Sequence, residues 1–152
     1  MKLFSEAFDA HGEVLPQYAA ATGNRIPPVH IKDPPPGTES LLIEIQDVDS
    51  AIGPLTHWLV WNLPPDLEYI DGDTVPEEAS VGLNSFGVVG YTGPAPPAGI
   101  HNILFRVCAL NRRLEAESGA SREQVDREIE GCILSEAKRT VHLDHNELHG
   151  TD

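Results

Sequence analysis

Proline and glycine cut this chain into pieces too short for long helices. They stand together at 27–28, 34–37, 53–54, 64–65 and 93–99. Proline fixes φ and removes a backbone donor, and glycine admits left-handed turns. The segments between them must therefore find order as short strands. SLLIEIQDV (40–48), HWLVWNL (57–63) and NILFRVCAL (102–110) fit best, with weaker candidates at 2–8 and 138–143. In the first, Leu41, Ile43 and Ile45 share one face while Leu42, Glu44 and Gln46 share the other, the pattern of a half-buried strand. One helix stands out. Ser121 precedes REQVDREIEGCILSEA with Gln124 at capping-box spacing, and Val125, Ile129, Cys132 and Ile133 form a single apolar stripe. The expected fold is mainly β, a β-sandwich rather than a barrel, with one or two peripheral C-terminal helices.

The 152 residues fit one domain, read as 1–143 with a C-terminal tail at 144–152. Cys108 and Cys132 have no paired spacing and read as small core residues in a reducing, cytoplasmic setting. The start, MKLFSEAFDAHGE, lacks the apolar stretch of a secretory signal, and no run approaches the ~18 apolar residues of a membrane span. A formal charge of −14 repels nucleic acid and anionic membranes at long range. It leaves room for a small anion held by local donors, because distant charge is screened over ~8 Å at physiological salt.

The chemistry-bearing residues lie at strand ends. GYTGPAPPAGIH (90–101) is a stiff loop that delivers His101 to the start of an apolar strand. Asp47 and Asp49 close the first strong strand, and His57 opens the second. Each has an ordinary reading: an Asx-type turn for the acids, a strand-end residue for either histidine. Together they form a set, since strand ends converge on one rim and each adjoins a Gly/Pro-rich connection. A carboxylate beside an imidazole fixes its tautomer, favours the imidazolium and leaves a donor for an anion. Gly93 suits a close approach of backbone amides to such a ligand.

Other chemistries lack a motif. GLNSFG has the wrong spacing for a nucleophile elbow, and neither nucleotide-binding glycine pattern occurs. Two aspartates and two histidines could ligate a metal, but their spacing is diffuse, so no metal or cofactor is expected. His142, His145 and His149 would share a face only in a helical tail, and a disordered or strand-like tail is the expectation.

The order FDAHGEVLPQY, IPP, PPPGTESLLIEIQDVDS, THWLVWN and GYTGPAPPAGIHNILFRVCAL, followed by the helix, resembles the phosphatidylethanolamine-binding protein family, most closely its bacterial and archaeal Raf-kinase-inhibitor-like branch. The likeness runs from about Ser5 to about Leu143. It implies a β-sandwich with an anion pocket at one end, without catalysis or cofactor. It assigns Asp47 and Asp49 to the acidic pair, His57 and His101 to the pocket histidines, and Gly93 and Pro94 to the loop wall. Phosphate, carboxylates and phospholipid head groups are the ligands it implies. The chain departs from the family pattern at Val48 and Ala51, which replace prolines, and at Ala21, where an Asp-Gly is lost. Asn102 and Ile103 stand for Arg-Tyr, and Leu55 for an aromatic.

The leading expectation is thus a non-enzymatic binding module for a small phosphate- or carboxylate-bearing ligand. The alternatives are a regulator or inhibitor of a kinase or protease acting through a protein surface and a phosphoester hydrolase using the Asp/His cluster. Homodimerisation through sheet edges or the 57–63 run stays open.

Overall fold

A computed structural model describes residues 1–8, 12, 14–20, 23–94 and 100–144. Strands β1 (Lys2–Phe4), β2 (Val29–Lys32), β3 (Ser40–Asp47), β4 (Leu55–Leu63), β5 (Tyr69–Ile70), β6 (Ser80–Val81), β7 (Ile100–Leu110) and β8 (Ile133–Asp144) are joined by one helix, α1 (Arg122–Ile129), and a short 3-10 turn at Pro16–Tyr18. They form two sheets, of order β1-β2-β5 and β6-β4-β3-β7-β8. The pairs within both are antiparallel. This is the expected β-sandwich, and the three strong strands fall within two residues of their expected limits.

The core between the sheets takes alternate residues of each strand: Ile43 and Ile45 from β3, Trp58 and Val60 from β4, Phe105 and Val107 from β7, facing Ile31 and Ile70 of the small sheet. Burying a side chain of this size contributes ~1.5–3 kcal/mol. A second apolar layer lies on the far face of the large sheet. Leu42, Leu59, Trp61 and Cys108 meet Val125 and Ile129 of α1 there.

That second layer corrects one expectation. β3 is buried along its whole length, on both faces. Glu44, expected on a solvated face, is 1% exposed. Its carboxylate lies 2.9 Å from Arg122 Nε and 3.6 Å from Arg106 Nη1, and Arg122 Nη1 also donates to Gln46 at 2.9 Å. Alternation therefore described β3 correctly, but its polar face packs under the helix. Burial pushes the Glu44 carboxyl above 4.5 against the pull of both arginines.

The helix is shorter than its apolar stripe. Ser121 caps it through a 3.2 Å bond from Gln124 N, and Gly131 at φ 78° turns the chain out of it. Cys132 and Ile133 lie beyond its end. Ile133 pairs with Leu110 at the start of β8, and Cys132 is a half-buried turn residue beside Arg112 Nε at 3.3 Å. Only Cys108 is a core thiol. The 57–63 run is also internal, paired in β4 and buried, so it offers no dimer face. The expected tail begins at Asp144, the last residue of β8. His142 lies in β8, while His145 and His149 fall outside the described residues. Among the described residues no helix is long and apolar enough to cross a membrane.

Arg122→Ala is expected to cost about 1–3 kcal/mol near neutral pH, because Glu44 is left buried with one cation further away. Loss of that cation raises the Glu44 pKa further above its unfolded value. The folded variant then gains more from protonation, so the difference from wild type shrinks as the pH falls toward 4.5. Urea titrations at neutral and mildly acidic pH read both effects.

Candidate functional site at one end of the large sheet

The β3–β7 pairing runs without a break from Ser40↔Leu110 to Asp47↔Ile103. It decides where His101 falls. Ile103, Phe105 and Val107 face the inter-sheet core, so His101, two residues before Ile103, shares their face and lies diagonally across from Asp47. The two side chains meet, with His101 Nδ1 2.7 Å from Asp47 Oδ2. Both are largely buried, at 14% and 7% side-chain exposure.

The other Asp47 oxygen accepts from the Asp49 backbone amide at 2.8 Å. The Asx-type turn and the histidine partnership thus coexist on one carboxylate. Asp49 turns its own carboxylate to the Asn102 amide at 2.7 Å. The repulsion expected between these acids is relieved by three donors, two of them from the backbone. Asn102 serves through its main chain, which needs no arginine side chain at that position, and Ile103 is a core residue at 1% exposure.

His57 reaches this face through an irregularity. Ile45 pairs with Trp58 and Gln46 with Thr56, so His57 is an extra residue with no partner on β3. Such a bulge turns two successive side chains to one side of a sheet. Strict alternation from Trp58 would have sent His57 toward α1. Instead its Nδ1 lies 2.6 Å from the Thr92 carbonyl, its ring packs 5.2 Å from that of Phe86, and the Asp47 charge acts on it. A carbonyl only accepts, so Nδ1 carries the proton.

The expected electrostatics of His57 are corrected here. Burial lowers its pKa below 6.5, outweighing the Thr92 bond and the Asp47 charge. At 1% exposure the imidazolium loses its water and meets only one carbonyl and a carboxylate committed elsewhere. His57 is neutral at physiological pH. Its Nε2 is buried without a hydrogen-bond partner among the described residues.

Gly93 and Pro94 form a wall by packing rather than by free amides. A Cβ on Gly93 would stand 2.4 Å from Tyr18 O and 2.7 Å from Ala20 N, and the Gly93 amide donates to Asn24 Oδ1 at 2.6 Å. Pro94 is buried, and its carbonyl accepts from Ala20 N at 3.2 Å. Tyr91 OH donates to the Tyr18 carbonyl. Ala21 and the loop at 95–99 fall outside the described residues. Sequence reasoning missed Asn24, Asn84 and Thr92. Asn84 Nδ2 donates to Thr92 Oγ1 at 3.0 Å and Gly90 O at 3.1 Å, and so holds the segment that orients His57. Their only signal was an amide or hydroxyl side chain beside glycine at Asn24 and Thr92, and two residues from one at Asn84.

No group of three or more metal-ligating side chains assembles among the described residues. A cavity of about 770 Å³ lies elsewhere, between α1 and the 115–120 segment, lined by residues of both charges such as Arg127 and Glu128.

The family model described as phosphatidylethanolamine-binding protein matches residues 5–143. A UPF0098 protein of Methanothermobacter thermautotrophicus is 36% identical over 143 residues, 91% of this chain and 95% of the relative. The crystal structure of CT736 from Chlamydia trachomatis, described as a phosphatidylethanolamine-binding protein homolog, superposes with a TM-score of 0.83 at 29% identity, covering 93% of this chain and 94% of the other. Escherichia coli YbcL, described as a member of the mammalian PEBP family, shares the fold with a TM-score of 0.86 at 24% identity, covering 94% and 97%.

Two outcomes follow from the geometry. Gly93→Ala should lower stability by about 1–3 kcal/mol in a denaturation series, because the methyl group meets backbone that has no rotamer to yield. The depressed His57 pKa contributes stability that is present above 6.5 and lost as pH falls through the folded-state value. Wild type should therefore weaken on acidification below 6.5, and His57→Gln should lack that component in a pH series of melts.

Proposed function

This chain belongs to the phosphatidylethanolamine-binding protein family, and we propose that its Asp47, Asp49, His57, Gly93, Pro94 and His101 hold a small anion, a phosphate, carboxylate or phosphorylated head group, without turning it over. The observation that carries this reading is the Asp47–His101 contact of 2.7 Å at the same sheet end as buried His57. Asp47 accepts a hydrogen bond from Nδ1–H, so a protonated His101 ring presents Nε2–H as a second, oriented donor. The charge-assisted bond it makes to an oxyanion is about twice as strong as a neutral one. Binding rather than catalysis fits the partners: His57 and His101 are held by a carbonyl and a carboxylate, and among the described residues neither is bonded to a hydroxyl or thiol nucleophile.

A protein-directed role, as a regulator acting through its surface, has one supporting observation. The turn beside His57 exposes Phe86, Val88 and Val89 at 46%, 45% and 54%. Such a patch suits a protein partner. A partner retained by a His101→Ala variant would favour that role.

Calorimetric titration of inorganic phosphate tests the anion reading. Affinity should fall at least about tenfold in His101→Ala, the loss of one charge-assisted bond, and less in Asp47→Asn. Unchanged affinity in His101→Ala would remove the anion from this site.

A further inference from the structure

The charge balance of this sheet end and the orientation of His57 say more about the ligand than that it is an anion. His57 Nδ1 must donate, because its partner is the Thr92 carbonyl at 2.6 Å. The neutral ring then offers only a lone pair at Nε2. That atom is buried and has no hydrogen-bond partner, on a residue 1% exposed. A buried acceptor left unpaired costs about as much as a lost hydrogen bond. Among the described residues nothing nearby relieves it: Phe86 presents a ring, the Asp47 oxygens are engaged by His101 and the Asp49 amide, and Asp49 is engaged by Asn102.

A fully deprotonated oxyanion suits this environment badly. Its oxygens would face a lone pair at His57 and lie near two carboxylates balanced by one imidazole. An oxyanion that keeps an acidic proton meets both histidines at once. One oxygen accepts from protonated His101 Nε2, while the P–OH donates to His57 Nε2. Resting on the anion reading above, we infer that the site selects oxyanions carrying a proton, hydrogen phosphate and singly protonated phosphomonoesters, and rejects those without one, sulfate and phosphodiesters. His57 is then a specificity residue that reads the hydrogen on the ligand, whereas His101 reads its charge.

Inorganic phosphate and sulfate, of like size and shape, make the test on the intact chain at neutral pH, where phosphate keeps a proton and sulfate has none. Calorimetry should give phosphate at least about a tenfold advantage. Dimethyl phosphate, a monoanion without a P–OH, should bind as poorly as sulfate, which separates the proton from the charge. Phosphoethanolamine, whose ester phosphate keeps a proton only below about pH 6, should compete with phosphate at about pH 5.5 and lose that ability by about pH 7.5, and glycerophosphoethanolamine, the lipid-type diester, should compete at neither pH. His57→Gln, whose amide can donate, should narrow the phosphate-to-sulfate ratio toward one, with melting checked alongside.

Equal binding of phosphate and sulfate, lost together in His101→Ala, would overturn the proton selection and leave the anion reading standing. Should glycerophosphoethanolamine bind as tightly as phosphate and free ethanolamine compete, the donor to His57 is an ammonium and the inference fails. Absence of binding by any of these probes overturns both readings. The ratio measured on wild type suffices, so the inference does not depend on His57→Gln folding.

Discussion

Strand β3 is paired along its length with β7 on one side and with β4 on the other, and the rest of the molecule follows from that double pairing. It is the central strand of the five, buried on both faces, so each of its polar groups must find a partner inside the protein. Its register with β7 is unbroken, and a slip of one residue would send His101 to the helix side of the sheet, away from Asp47. Register with β4 is interrupted twice. The interruption opposite Gln46 brings His57 to the side of Asp47. The other lies beside Asn62, whose amide bonds both backbone groups of Leu114 at 2.7 and 2.9 Å and anchors the segment leading to α1.

The two acids of β3 show how one strand can serve two purposes. Glu44 points to the helix side and is matched by two arginines, a structural arrangement whose members are committed to one another. Asp47 points to the inter-sheet side, where its partner is an imidazole that keeps a second nitrogen for other use. Buried arginine–carboxylate pairs hold layers together, and buried histidine–carboxylate pairs leave a proton to be placed. The difference separates a structural cluster from a candidate site within a span of three residues.

His57 and His101 look alike in sequence, each a histidine opening a strand after a proline-containing turn. Their surroundings make them unlike. His101 faces a carboxylate, His57 a carbonyl, and deeper burial of His57 keeps it neutral. With one Nδ1 committed to a carbonyl and the other to a carboxylate, the two Nε2 atoms stand in unlike surroundings.

Sequence alone determined the strands 40–48, 57–63 and 102–110 and the Ser121 cap, because alternation, turn chemistry and capping are local, whereas the meeting of Asp47 with His101 follows from the β3–β7 register. Strand-end position and adjoining glycine and proline grouped Asp47, Asp49, His57, His101 and Gly93 as candidates, and the family pattern added Pro94. Tertiary structure decided the rest. Burial of Glu44 and the end of α1 at Gly131 depend on a helix that packs across β3 and on a ladder between β7 and β8. The facing of His57 depends on a bulge, and its proton on Thr92, 35 residues away. Periodicity reports what a strand's neighbours along the chain impose. Register, burial and protonation are set by residues that only folding brings within reach.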